Sequence, residues 1–216
     1  MTFPDDHPLC GQSGEVFGFA IRHATGLVLF DTGIGSGNDG LDRYYGVVHH
    51  SLEAALARHE HRLDDVTAIV SSHLHFDHCG NNHLFPGVPI HVQRAEHDAA
   101  RERGYTIPDW IDFEGAVYVP ADGESHIARG LRIIPTPGHT AGHQSLVVET
   151  SDGRVVCAGQ AVYSRADFDH IRTTGTIPDD EQPVDADVYL ASAQRIIDLD
   201  AHRIWFSHDR EVWDRA

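Results

Sequence analysis

Apolar residues fall along this chain in short runs, punctuated by glycine, proline or small polar clusters. Glu15 to Arg22 holds several, and Gly26-Leu27-Val28-Leu29-Phe30 is apolar throughout. Residues His23 to Gly26 supply turn chemistry between them, which predicts a β-hairpin. The glycine-rich stretch Asp31 to Gly37 then breaks the sheet. From Ser51 to His61 the period becomes helical. Ser51 suits an N-cap, and Leu52, Ala55, Leu56 and Leu63 roughly share one face.

Val66 to Val70 is a short β-branched-rich run that leads straight into Ser71-Ser72-His73. Pro89 to Val92 predicts another strand. Gln93 to Arg103 predicts a helix whose acids precede its bases, the order that suits the helix dipole. Leu131 to Ile134, Ser145 to Glu149 and Arg154 to Ala158 read as further strands, divided by Pro-Gly and Asp-Gly turns. Ala186 to Leu199 is the best late helix, with Asp185 as its cap, and Arg203 to Phe206 is a last strand ending at Ser207-His208. Helices interleave with strands without a strict βαβ repeat. The expected class is layered α/β, with sheets inside and helices outside.

At 216 residues and 41% apolar, the chain can build one sizeable core, so a single domain over residues 1–216 is expected. Acids outnumber bases 33 to 16, for a formal charge of -17, and every base is arginine. Such a surface repels phosphate backbones and anionic headgroups, so no nucleic acid and no membrane is an expected partner. Met1 to Cys10 holds aspartates and prolines but no apolar core, unlike a signal peptide. No apolar run approaches the roughly 18 residues of a membrane-spanning helix. Cys10, Cys79 and Cys157 lie far apart and form no Cys-x-x-Cys pair, which points to a reducing, cytoplasmic setting.

Histidine is the anomaly, with 18 copies. In His73-Leu74-His75-Phe76-Asp77-His78, three histidines and an aspartate fall within six residues, directly after a buried strand. Strand ends are where rigid scaffolds present functional groups. Imidazole nitrogen and carboxylate oxygen both suit zinc and similar divalent ions. Ligands at i and i+2 can serve one ion, while those at i+4 and i+5 point elsewhere and can serve a second. His139, in Pro137-Gly138-His139-Thr140, and His208, in Phe206-Ser207-His208-Asp209, also follow apolar strands. Either alone is commonplace, but with the first cluster they complete a binuclear set. His143 reads as structural, and Cys79, beside the cluster, as a packing residue. The segment Gly35 to His50, with Tyr44 and Tyr45, suits either a pocket lining or a mobile surface loop.

This constellation resembles the metallo-β-lactamase superfamily, whose His-x-His-x-Asp-His cluster, later Gly-His and terminal His it repeats, along with Phe30-Asp31-Thr32-Gly33 upstream. Within that superfamily it is most similar to the N-acyl homoserine lactonases. The similarity runs through Ser72 to Asn82, Val92-Gln93-Arg94-Ala95-Glu96, Thr136 to Leu146, Tyr163 and Ser207-His208-Asp209, and spans roughly Glu15 to Asp209. It implies a four-layer αβ/βα sandwich. It further implies His73, His75 and His139 as ligands of one metal, and Asp77, His78 and His208 of a second. Asp31 would orient a ligand histidine, Tyr163 would hydrogen-bond the lactone carbonyl, and Asp77 would also carry the proton to the leaving alkoxide. The implied activity is a quorum-quenching lactonase, a zinc-type metallohydrolase in which hydroxide generated at the metal opens a lactone ring. The implied partner is a small lactone or ester, and a homodimer is an assembly the resemblance admits.

One position departs from the pattern. The related enzymes place an aspartate between the two metals, and here Gln160 stands in its place, within Cys157-Ala158-Gly159-Gln160-Ala161-Val162-Tyr163. Glutamine is neutral and cannot bridge two cations with two charged oxygens, so the second ion should bind more weakly. Gln160 is then a ligand through its amide oxygen, or the enzyme works with one ion, or catalysis is lost. Six intact ligand positions favour retained metal, at one or two ions per chain. The competing readings are a hydrolase of another ester, a thioester or a phosphodiester, and a non-catalytic metal-binding relative.

Overall fold

The computed structural model describes residues 1–2, 10–11, 13–178, 183 and 185–215, so most of the N-terminal stretch read above lies outside the described residues. Two mixed sheets form the body of the fold. The first has five strands in spatial order: β1 (Phe19–His23), β2 (Gly26–Phe30), β3 (Val66–Val70), β4 (Pro89–Gln93) and β5 (Val117–Ala121). The second has six, in the order β11 (Trp213–Asp214), β10 (Arg203–Phe206), β9 (Gly153–Gly159), β8 (Gln144–Thr150), β7 (Leu131–Pro135) and β6 (Ser125–Ala128). The predicted hairpin is present: Phe19 faces Phe30 and His23 faces Gly26, leaving Ala24 and Thr25 as its turn. From β2 to β5 the pairing is parallel, so the carboxyl ends of β2, β3 and β4 open on the same edge.

Among the described residues seven α-helices accompany the sheets: α1 (Asp39–Tyr44), α2 (Leu52–Ala57), α3 (Phe76–Cys79), α4 (Arg94–Ala99), α5 (Pro108–Ile111), α6 (Arg165–Thr174) and α7 (Ala186–Asp198). The side-chain clusters reveal the layering. Val28, Phe30 and Val70 of the first sheet pack on Leu131, Ile133, Leu146 and Cys157 of the second. On the outer face of the first sheet, Leu27, Leu29, Ile69 and Ile90 pack on Leu56 of α2. On the outer face of the second, Ile134, Val147, Val156, Ile204 and Phe206 pack on α6 and α7. A strand covered on both faces needs apolar residues at odd and even positions alike, which is why β2 reads as an unbroken apolar run. Burying side chains of this size contributes about 1.5–3 kcal/mol each.

Several elements differ from expectation at their ends. The helix predicted to reach His61 stops at Ala57, and the chain turns through a left-handed Glu60. The helix predicted to reach Arg103 stops at Ala99. Gln93 belongs to β4, where its amide bonds Gly123 and Gln144. The Gly35 to His50 segment is no featureless loop, because Asn38 caps α1 within it. α7 runs as expected from the Asp185 cap, and buries Tyr189, Ser192, Ala193 and Ile196 at helical spacing. Among the described residues no helix is long and apolar enough to cross a membrane.

Candidate metal centre

The first cluster begins where β3 ends. The Asp31 backbone N–H donates to the Val70 carbonyl at 2.9 Å, and Ser71 N–H to the His91 carbonyl at 3.0 Å, so the chain emerging from β3 is held by both neighbouring strands. His73 and His75 lie on the extended approach to α3, whereas Asp77 and His78 lie within it. The change from extended chain to helix between them divides the ligands by direction. His139 rides a turn after β7. Gly138 there has φ +136°, and a Cβ on it would lie 2.5 Å from Tyr189 Cα, so only glycine lets this turn press on α7. His208 follows β10, beside Ser207, whose carbonyl accepts from Phe17 N–H at 2.8 Å.

These elements gather two groups of donor atoms. His73, His75 and His139 form one, and Asp77, His78 and His208 the other, with ligand atoms within 4.8 Å of each other in each group. The groups adjoin, since the His73 and His78 rings lie 4.2 Å apart. The hydrogen bonds assign the ring nitrogens. His78 Nδ1 donates to Asp31 Oδ2 at 3.0 Å, and His208 Nδ1 to the Glu15 carbonyl at 2.8 Å. The Ser72 hydroxyl donates to Asp31 Oδ2 at 2.7 Å and accepts from His73 Nδ1 at 3.0 Å. Each of these rings turns its Nε2 inward. His73 Nε2 is buried without a hydrogen-bond partner, His78 Nε2 and His208 Nε2 lie 3.3 Å apart, and His139 Nε2 lies 3.2 Å from His75 Nδ1. Converging imidazole donors, one of them orphaned, with a carboxylate alongside, fit divalent cations.

Electrostatics divide the site. Burial, then neighbouring imidazoles, hold His73 and His139 well below the usual histidine range, and bring His208 down to about 4. Burial also disfavours charge on His78, but Asp77 and Asp31 outweigh it and raise this imidazole to about 10. Asp77 is pushed up by burial and held well below the usual carboxylate range by His78 and His208. Without metal, His78 therefore carries a proton at neutral pH where a cation would otherwise sit. The Cys79 thiol, pushed up to about 12 by burial, donates to the Leu74 carbonyl and stays neutral, in keeping with packing.

Asp31 is buried and sits at a left-handed φ of 59°, a conformation unusual outside glycine. The Tyr163 ring stacks on His208, with centroids 4.6 Å apart and planes 9° from parallel. Gln160 is buried just after β9, and its backbone N–H donates to His143 Nε2 at 2.9 Å. The other nitrogen of His143 lies 2.9 Å from the Thr136 carbonyl. His143 is thus occupied at both nitrogens, tying the His139 turn to residue 160. Tyr45 packs on Phe76, ring centroids 4.9 Å apart, which brings the segment after α1 against the start of α3.

Sequence reasoning found Asp31 among the supports of this site and missed the others. Ser72, Glu96, Tyr105 and Thr140 are ordinary residue types, and only their burial and bonding mark them. The one available signal was that Ser72, Glu96 and Thr140 fall within the stretches that resemble the lactonases.

The model of the metallo-beta-lactamase superfamily matches residues 14–208. The chain belongs to that superfamily. It is 34% identical over 163 residues to an N-acyl homoserine lactonase of Bacillus cereus, covering 72% of this chain and 61% of that one. It is 36% identical over 155 residues to an N-acyl homoserine lactonase of Bacillus thuringiensis, covering 68% and 58%. The chain thus spans about three fifths of the length of these curated relatives. A solved N-acyl homoserine lactone hydrolase, with the product N-hexanoyl-L-homoserine bound at its catalytic metal center, superposes with a TM-score of 0.74. That pair is 29% identical, and the match covers 90% of this chain and 81% of the other.

Proposed function

We propose that the protein is a metal-dependent hydrolase that opens the ring of an N-acyl homoserine lactone or a similar lactone. The observation that carries this reading is the pair of adjoining donor groups with Tyr163 stacked on one of their histidines. His73, His75 and His139 would hold one divalent ion and Asp77, His78 and His208 a second, with zinc the ion that suits these donors. A bound ion would polarise the lactone carbonyl and make water a stronger nucleophile near neutral pH.

The chain's own residues do the rest. Asp31 fixes the His78 ring directly and the His73 ring through Ser72, and the Glu15 carbonyl fixes His208. The Tyr163 hydroxyl donates to the carbonyl oxygen as it gains charge. Asp77 takes the proton released by the attacking water and delivers it to the alkoxide that leaves as the ring opens. Tyr45 and Phe76 offer an apolar wall to the acyl part of the substrate. The buried, unpaired thiols of Cys79 and Cys157 support a reducing, cytoplasmic setting.

Gln160 makes the pair unequal. Asp77 is the one acid among Gln160 and the two donor groups, so one ion binds tightly and the other loosely. Metal content per purified chain, compared with Gln160→Asp, tests this: the variant should hold more of the second ion. The activity itself is tested by incubating metal-loaded protein with N-hexanoyl homoserine lactone and with a simple γ-lactone. Ring-opened hydroxy acid is expected, and no turnover of either substrate sinks the lactonase reading.

A further inference from the structure

Glu96 lies in the first turn of α4, and its side chain is completely buried. A carboxylate away from water is costly unless its oxygens are well bonded. Oε1 accepts from the Leu74 backbone N–H at 2.8 Å and from the Tyr105 hydroxyl, and Oε2 accepts from the Thr140 hydroxyl at 2.6 Å.

The identity of these donors gives the contact its meaning. Leu74 stands between His73 and His75, and Thr140 directly follows His139. Tyr105 lays its ring against His75, centroids 4.9 Å apart. Every histidine of the first donor group therefore neighbours a residue tied to this one carboxylate. The two loops involved leave different sheets, one after β3 and the other between β7 and β8. Gly142 completes the arrangement, since a Cβ there would lie 2.2 Å from the Glu96 backbone nitrogen. The His139 turn is thus seated hard against the start of α4.

We propose that Glu96 is a positioning residue for a metal ion in the His73-His75-His139 group. It sets the gap between the two ligand loops and supplies the negative charge that three neutral imidazoles lack. This rests on reading the donor groups as metal sites. Glu96 touches no metal-binding ring nitrogen, so its effect passes through Leu74 and Thr140.

The test uses the full chain loaded with cobalt(II) or zinc(II) against a chromophoric chelator. The ion of the three-histidine group is identified by its loss in His139→Ala. Glu96→Gln keeps the size of the side chain and one acceptor oxygen but removes the charge. It should weaken that ion by about 10–100-fold and shift its cobalt absorption bands, while the ion of the Asp77 group keeps its affinity. The metal-free thermal midpoint of Glu96→Gln should stay close to that of the wild type. Glu96→Asp, which restores the charge but shortens the reach, should fall between the two. Unchanged affinity and spectrum in Glu96→Gln overturn the proposal. So does equal weakening of both groups together with a lowered metal-free midpoint, which marks Glu96 as general support of the fold. A wild-type chain that places no ion in the three-histidine group overturns it as well. If the wild type binds metal as described yet opens no lactone, the lactonase reading fails and this one stands.

Discussion

In the His73-His75-His139 group all three donors are neutral imidazoles, whereas the neighbouring group joins His78 and His208 to the carboxylate of Asp77. The difference extends outward. His78 leans directly on the buried carboxylate of Asp31, at 3.0 Å, while His73 reaches the same carboxylate only through Ser72. The first group instead has Glu96 beneath its loops, bonded to their backbone and hydroxyl groups rather than to a ring. Two sites that share a wall are thus charged in different ways, one by a carboxylate among its donors and one by a carboxylate behind them. Without metal the contrast shows as charge: His78 is held as the imidazolium, while His73 and His139 are neutral imidazoles.

Asp77→Asn is expected to break the comparison most severely, since it leaves both groups without a charged ligand. Turnover of a lactone should fall by about 10²–10⁴-fold, and the ion of that group should be lost on dialysis. Metal analysis and initial rates check both, and activity within tenfold of wild type excludes Asp77 as the proton carrier. Asp31→Asn should act next. It replaces an acceptor of three hydrogen bonds and should lower metal-free stability by about 1–3 kcal/mol, read from denaturant unfolding. It should also weaken metal binding by about 10–100-fold, more at the Asp77 group than at the three histidines, because only the former touches Asp31 directly.

The smallest effect is a pH profile. His208 has its folded pKa depressed to about 4, below the usual 6.5, so it costs stability as pH falls from 6.5 towards 4 and the unfolded chain takes up protons first. His78 has its folded pKa raised to about 10, so its contribution is complete below 6.5 and is lost as pH rises towards 10. Metal-free protein should therefore be most stable near pH 6.5 as far as these two groups decide it. Thermal melts of chelated and loaded protein should differ most on the alkaline side, where an ion replaces the His78 proton. Identical alkaline profiles would show that no ion reaches His78.

Much of this was legible in the residues. The hairpin, β3 and α7 follow from periodicity because each is either doubly buried or cleanly one-sided. The donor cluster was legible because its members crowd into six residues. α6 was not, since only Phe168 and Ile171 point inward from an otherwise polar helix, and its ends are marked only by the Ser164 cap and a left-handed Gly175. β5 was masked by Pro120, which an edge strand tolerates. The over-long helices at Ser51 and Gln93 show propensity yielding to tertiary packing, most plainly at Gln93, whose amide is engaged between the sheets. Glu96, Ser72 and Thr140 escaped because their roles depend on partners tens of residues away.

The donor groups draw on both sheets, so an ion held in either would act as a staple between them. His75 and His139 are 64 residues apart in the chain, and His78 and His208 are 130 apart. An ion held across either pair would close a loop of that length, and closing long loops removes conformational freedom from the unfolded chain much as a disulfide does. The described cysteines form no such bond. Loading with metal should therefore slow cleavage by a protease that attacks only opened chains, and the seam between the two sheets is where that protection should be greatest.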